Sequence, residues 1–256
     1  MITERVRKFK RTIKQRSVIG PFSKTSDPAF IESIGYAGFD FVILDLEHGP
    51  NSVQTMQNLL RASQISDLFP IVRVKEKPLS IIGEVLDIGA GGIQVPQITT
   101  AEEAERVVRL AKFSPDGMRG VCRFVRAADY SSTDRFTYFR EANETILVLQ
   151  LEGDKAIRNL DDILEVSGID IIFIGPYDLS QSLGVPGKID HPQVIKATKE
   201  IVEKSIRKDV FVGTFVETIE NARKWKDLGI SYICYSVDMG IFTEKCREIV
   251  SATRNS

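Results

Sequence analysis

Two short segments bring together side chains that can move protons and hold cations. Asp45-Leu46-Glu47-His48-Gly49-Pro50 closes the apolar run Phe39-Asp40-Phe41-Val42-Ile43-Leu44, and Gln150-Leu151-Glu152 closes Thr145-Ile146-Leu147-Val148-Leu149. Both runs read as buried parallel strands. Histidine is the side chain whose ordinary pKa lies nearest neutral pH, and a carboxylate is a hard oxygen ligand for a divalent cation. Together they point to metal-assisted proton chemistry. Arg73, in Ile71-Val72-Arg73-Val74, needs a partner because a lone buried charge is costly. It either holds a developing oxyanion or makes a salt bridge inside the fold.

A third segment, Gly175-Pro176-Tyr177-Asp178-Leu179-Ser180, reads as a tight turn after Ile171–Ile174. Asp178 and Glu152, with water and substrate oxygens, make a candidate octahedral site for Mg²⁺ or Mn²⁺; the alternative for Asp178 is a helix N-cap. No Cys/His zinc spacing competes. Asp87 ends a helical stretch before Gly89-Ala90-Gly91 and carries no role alone. Tyr235-Ser236-Val237-Asp238 lies where a barrel binds anions, or else Ser236 or Asp238 caps a helix. His191 reads as an ordinary first-turn residue before Pro192.

The elements that must position these residues alternate along the chain. Strands are expected near Val18–Phe22, Phe39–Leu46, Pro70–Val74, Gly92–Val95, Thr145–Leu151, Ile169–Ile174, Val210–Phe215 and Tyr232–Ser236. Between them run helical patterns: Ser52–Ile65; Leu79–Ile88 after Pro78; Ala101–Phe113 with Thr100 and Glu103 as a capping box; a helix capped by Asp190 and reaching Lys208; Glu217–Leu228; and Met239–Ala252. Met1 to Arg16 reads as a basic amphipathic first helix, lacking the apolar core of a secretory signal. Eight β/α repeats in 256 residues predict a single (β/α)₈ TIM barrel spanning 1–256. A doubly wound sheet is the rival, without a Gly-rich dinucleotide fingerprint to support it. In a barrel, catalytic groups stand at the C-terminal ends of the strands.

A formal net charge of −1 gives no electrostatic case for nucleic acid or a membrane surface. The apolar runs are far short of the ~20 residues that span a bilayer. Cys122, Cys234 and Cys246 are scattered and read as inert thiols of a reducing, cytoplasmic compartment. The segment from Phe113 to Asn143 is longer than one helix needs. It carries Arg119, Arg123, Arg126 and Arg135. One expectation is that it reaches over the barrel mouth to an anionic substrate; the other is a solvated charged loop.

In combination these motifs resemble the HpcH/HpaI aldolase family, from about Gly20 to Phe242. Asp45 to Asn51 is similar to that family's Asp-x-Glu-His-x-Pro-Asn signature, and Val72-Arg73-Val74 to its arginine strand. Leu86-Asp87-Ile88-Gly89, Gly117-Met118-Arg119-Gly120-Val121, Gln150-x-Glu152 and Gly175-Pro176-x-Asp178-Leu179-Ser180 match further segments in order. The resemblance implies a TIM barrel of the phosphoenolpyruvate/pyruvate type that cleaves a 4-hydroxy-2-oxo acid to pyruvate and an aldehyde. It implies Glu152 and Asp178 as ligands of Mg²⁺, Mn²⁺ or Co²⁺, His48 as a base acting through a metal-held water with Asp45 nearby, and Arg73 as the oxyanion holder. Gln150, Gly175, Pro176, Tyr177 and Asp178 would face the substrate. Asp87 would come to His48 from a neighbouring subunit of a hexamer, a trimer of dimers, whose last helices pack on neighbours. No lysine is needed for a Schiff base, and Lys75 does not match the scheme. Two segments depart from the family: Cys122-Arg123-Phe124-Val125-Arg126, and Tyr177 in place of a small residue. Both put the acceptor in question. The rival functions are a decarboxylase on the same site and a 2-oxo acid binding barrel without turnover.

Overall fold

The computed structural model describes residues 2–76 and 79–254. Eight parallel strands close into a barrel in sequence order: β1 (Val18–Ser23), β2 (Phe41–Asp45), β3 (Phe69–Arg73), β4 (Gly92–Ile98), β5 (Ile146–Leu151), β6 (Ile171–Ile174), β7 (Phe211–Val216) and β8 (Tyr232–Val237). Each of the eight expected strands is present, with ends shifted by a few residues. The helices are α1 (Ile2–Gln15), α2 (Pro28–Tyr36), α3 (Val53–Ile65), α4 (Ile81–Asp87), α5 (Ala101–Ala111), α6 (Arg135–Ala142), α7 (Gly153–Arg158), α8 (Leu160–Leu164), α9 (Pro176–Ser182), α10 (Pro192–Arg207), α11 (Ile219–Asp227) and α12 (Asp238–Arg254). Among the described residues no helix is long and apolar enough to cross a membrane.

The strands read as continuous apolar runs because both faces are buried. One set of side chains packs outward against the helices, including Val42, Leu44, Val72, Leu147, Leu149 and Ile172. The alternate set fills the barrel: Val18, Phe41, Ile43, Phe69, Ile71, Ile146, Val148, Ile171, Phe173 and Tyr232. Phe41 stacks on Tyr232 at 4.1 Å between ring centroids. Gly20 makes room for it, since a Cβ there would sit 2.0 Å from the Phe41 carbonyl oxygen. At the N-terminal ends of the strands, α1 closes the barrel with Val6, Phe9 and Ile13, and Phe9 stacks on Phe69 at 4.2 Å. The basic amphipathic first helix is therefore a plug whose charged face is spent in ion pairs such as Arg7–Glu144 and Lys10–Asp170.

Two local expectations need correction, and a third lies outside what is described. The helix expected to start at Asp190 is capped by His191, whose Nδ1 accepts from the Gln193 amide; Asp190 instead pairs with Lys224. The helix expected from Glu217 begins at Ile219 and is capped by Thr218. Pro78, read as a first-turn residue, lies outside the described residues. The Thr100–Glu103 capping box is present as expected, with Thr100 Oγ1 accepting from the Glu103 amide and Glu103 accepting from the Thr100 amide.

Candidate functional site

The two-residue period of a strand decides which polar groups enter the barrel. Phe41, Ile43 and Asp45 share a face, as do Phe69, Ile71 and Arg73, and Ile146, Val148 and Gln150. The apolar layers thus end in a polar layer at the C-terminal mouth. Register pairs Asp45 with Arg73 and Arg73 with Gln94. Arg73 donates from Nε to Asp45 Oδ1 at 2.9 Å and from Nη2 to Asp45 Oδ2 at 2.7 Å. Its Nη1 lies 3.1 Å from Glu47 Oε2, an ion pair without the alignment of a hydrogen bond. Its guanidinium rests over the Phe22 ring, 4.5 Å from the centroid.

Asp45 is fully buried. Burial on its own would raise its carboxyl. The bidentate Arg73 and the amides of His48 and Glu47 offset that and hold it below the ordinary carboxylate value. The same two amides bend the chain at the strand end, and this turn carries His48 to the surface. The imidazole side chain is 63% exposed, with Nε2 3.7 Å from Glu47 Oε2.

A second relay fixes Glu152. Gln94, fully buried, donates to Gln150 Oε1 at 2.7 Å, and Gln150 donates to Glu152 Oε1 at 2.5 Å. Burial, then the nearby Glu47, then Asp178 push the Glu152 carboxyl up, against the Gln150 hydrogen bond. Glu47 and Asp178 thus lie near enough to add to the negative field at Glu152, beyond what Arg73 offsets. Asp178 sits in the first turn of α9, but Gly175 is the N-cap and no side chain caps this helix. The Asp178 carboxylate folds back over Gly175, where a Cβ would meet its Oδ2 at 2.4 Å. The mutual repulsion of Glu152, Glu47 and Asp178, and the cradle kept open by Gly175, fit a divalent cation held by Glu152 and Asp178. Among the described residues no group of three or more His, Cys, Asp and Glu side chains is arranged to hold a metal; two carboxylates leave the remaining positions to water and substrate oxygens.

Arg73, Gln150 and Asp178 open on a cavity of about 230 Å³ lined also by Lys24, Gly175, Pro176 and Tyr177, with Phe22, Phe173, Phe215 and Val237 as apolar walls. Tyr177 stands at its rim, its hydroxyl donating to Glu217 Oε2 at 3.0 Å. Clefts of about 300 and 370 Å³ at the other end of the barrel are roomier, but their cations serve the fold: Arg16 pairs with Asp40, and Arg126 donates to Gln64 and to the Ile88 carbonyl.

Two of the features singled out in the sequence lie at the other end of the barrel. The arginine-rich segment follows a helix, α5, and therefore lies at the N-terminal end of the strands rather than over the mouth of its own barrel. Arg119 is buried against Asp87, 2.5 Å from Oδ1, and over the Phe113 ring. Arg123 donates to Ser131 within the segment, and Arg135 lies over Phe136. Asp87, at the C-terminal end of α4, shares that remote end and does not meet His48 within one chain. Asp238, read as an anion-site or cap residue, is a strap: its Oδ2 accepts from Ser23 Oγ and from the amides of Lys24 and Thr25. The cysteines are free, and burial raises the thiol of Cys234 inside the barrel.

Glu47, Gln94 and Lys24 entered no sequence assignment. The period-2 parity from Asp45 to Glu47 could have signalled the first, and the polar residue within Gly92-Ile93-Gln94-Val95 the second.

Comparison with known proteins agrees with the fold. A family model described as HpcH/HpaI aldolase/citrate lyase matches residues 18–244. The 5-keto-4-deoxy-D-glucarate aldolase of Shigella boydii serotype 18 is 34% identical over 244 residues, covering 94% of each chain. The HpcH/HpaI aldolase of Desulfitobacterium hafniense DCB-2 superposes with a TM-score of 0.89 at 27% identity, covering 96% of each chain. A citrate synthase, SbnG, superposes with a TM-score of 0.85 at 29% identity, covering 96% of this chain and 97% of its own. Barrel, mouth and whole-length similarity converge: the chain belongs to the HpcH/HpaI aldolase/citrate lyase family.

Proposed function

We propose that the protein catalyses the reversible aldol cleavage of a 4-hydroxy-2-oxo acid to pyruvate and an aldehyde, with a divalent cation (Mg²⁺, Mn²⁺ or Co²⁺) at Glu152 and Asp178. The observation that carries this reading is the electrostatic coupling of Glu152 to Asp178, which lines the same cavity as Arg73 and Gln150, with the exposed His48 following the Asp45 turn. Such a cation would supply Lewis-acid stabilisation to the 2-oxo group. The resemblance to an aldolase along the whole chain supports the same chemistry.

The chain's own groups divide the remaining work. His48 accepts the proton of the 4-hydroxyl. The C3–C4 bond breaks, C4 leaves as the aldehyde, and the electron pair moves onto the 2-oxo oxygen. Arg73, clamped by Asp45 and Glu47, keeps a fixed positive charge toward that oxygen and needs no reorganisation during the reaction. Gln150 fixes the Glu152 carboxylate from below, and Gly175 and Pro176 bring backbone close to the bound acid. C3 then takes back the proton held by His48 as the electron pair returns from the oxygen, which completes pyruvate. A role for Asp87 beside His48 requires a second copy of the chain. An oligomer, read as a hexamer, is supported by α12, which leaves Met239, Phe242, Ile249 and Val250 exposed.

The test needs no knowledge of the aldehyde. Deuterium exchange into the pyruvate methyl group is followed by NMR in D₂O with Mg²⁺, Mn²⁺ or Co²⁺, then with EDTA. Exchange that depends on the cation and disappears in His48→Ala is expected. Absence of exchange with every cation would remove the aldolase reading.

A further inference from the structure

The cavity at the mouth is lined by two cations, and they are not equivalent. Arg73 is paired with both Asp45 and Glu47. Lys24, immediately after β1, lines the same cavity, and among the described residues its Nζ has no ion-pair or hydrogen-bond partner. A solvated lysine would need no fixed backbone. This one has its backbone held from both sides by buried polar side chains. Asp238 takes the amides of Lys24 and Thr25 at 3.0 and 3.1 Å. Asn51 donates to the carbonyls of the same two residues at 3.3 and 3.1 Å. Asp238 and Asn51 are 2% and 8% exposed. Two side chains are thus withdrawn from water to fix the stem of one uncompensated cation, which is the arrangement of a preorganised ligand contact.

Position says which ligand group it meets. In the closed ring of eight strands, β1 lies four strands from β5, directly across the mouth from Glu152. A 2-oxo acid held on the Glu152–Asp178 side presents its carboxylate and oxo group there, and its far end extends toward β1. We propose that Lys24 is the specificity-determining residue for the acceptor half of the substrate and selects aldehydes that carry a carboxylate. Its ammonium forms a charge-assisted hydrogen bond with that distal acid. This inference rests on the aldolase reading given above.

The experiment measures addition of pyruvate to length-matched pairs of acceptors, glyoxylate against acetaldehyde and succinic semialdehyde against butanal. The readout is the ratio of kcat/KM for the acidic over the neutral member, in the wild type, Lys24→Met and Lys24→Arg, with the KM for pyruvate recorded separately. The wild type should favour one or both acids. In Lys24→Met the ratio should fall about 10- to 100-fold, the worth of one charge-assisted bond, and Lys24→Arg should recover most of it. An unchanged ratio in Lys24→Met overturns the assignment. So does a rise in the KM for pyruvate with the ratio intact, which would place Lys24 on the donor carboxylate. A wild type that prefers neutral acceptors overturns it as well. A wild type that shows no methyl exchange with pyruvate overturns the aldolase reading itself, and is read before the acceptors are compared.

Discussion

The two ends of this barrel solve opposite problems. At the N-terminal end, α1 inserts Val6, Phe9 and Ile13 into a stack of aromatic rings, and the surrounding charges are drawn into ion pairs, as in Arg16–Asp40 and Arg119–Asp87. At the C-terminal end, Glu47 and Asp178 push the Glu152 carboxyl up, Lys24 pairs with no acid among the described residues, and Glu47 is drawn toward Arg73 without full hydrogen bonding. The polar layer begins one strand residue above the apolar layers, so the division is abrupt. Residues at one end serve stability and those at the other serve chemistry, and single substitutions should separate the two.

The largest separation is expected at Glu152. Glu152→Gln should lower cation-dependent methyl exchange of pyruvate by at least about 10³-fold, roughly 4 kcal/mol in barrier, because the amide keeps the shape and loses the charge. Equal exchange in the variant would remove Glu152 from the cation site. At the other end, Phe9→Ala should cost about 3–4 kcal/mol of stability, or roughly 10 °C in Tm for a chain of this size, while exchange per folded molecule stays at the wild-type value. A catalytic defect in that variant would break the division between the ends.

Asp45 sits between these extremes. Asp45→Asn leaves a buried guanidinium with only Glu47, and should cost about 3 kcal/mol. The native carboxyl is held below its ordinary value. Its stabilisation is therefore fully present above the unfolded carboxylate pKa near 3.9 and is lost as pH falls through the lower folded value. Thermal melts between about pH 5 and pH 2 should show a steeper acid loss in the wild type than in the variant. The smallest effect has the reverse sign. The Glu152 carboxyl is raised, so its protonated form is favoured in the folded state below the unfolded pKa, and that advantage is lost as pH rises through the folded value. At neutral pH without added cation, Glu152→Gln should melt about 2 °C higher than the wild type, and Mg²⁺ should raise the Tm of the wild type alone.

The sequence was most informative where one local rule decided the outcome. Strands buried on both faces are unbroken apolar runs, so all eight stood out, and Asp45, Arg73 and Gln150 were visible because each interrupts or ends such a run. Helix boundaries at Asp190 and Glu217 were misplaced because two adjacent residues in each case could cap, and tertiary partners chose between them: Lys224 took Asp190, and Tyr177 took Glu217. Of the two expectations for the arginine-rich segment, the reach over its own barrel mouth failed for a reason of topology. A connection that follows a helix returns to the N-terminal side of a parallel barrel, so its length said nothing about the mouth. Lys24 was invisible because what distinguishes it is its anchorage. Asp238 lies 215 positions from Ser23, and no local pattern reports a bond of that span.

That bond also sets a timetable. During synthesis the chain emerges from its first residue onward, and every strand from β1 to β7, with Arg73, Glu152 and Asp178, is available before Asp238 exists. The carboxylates and the arginine clamp can take their places in a barrel still lacking its last strand. The loop after β1 cannot, because its amides have no acceptor until β8 has paired with β1 and delivered Asp238. The first part of the mouth to be made is thus the last to be set, and ring closure, a long-range event that folds late, is also the step that readies the site.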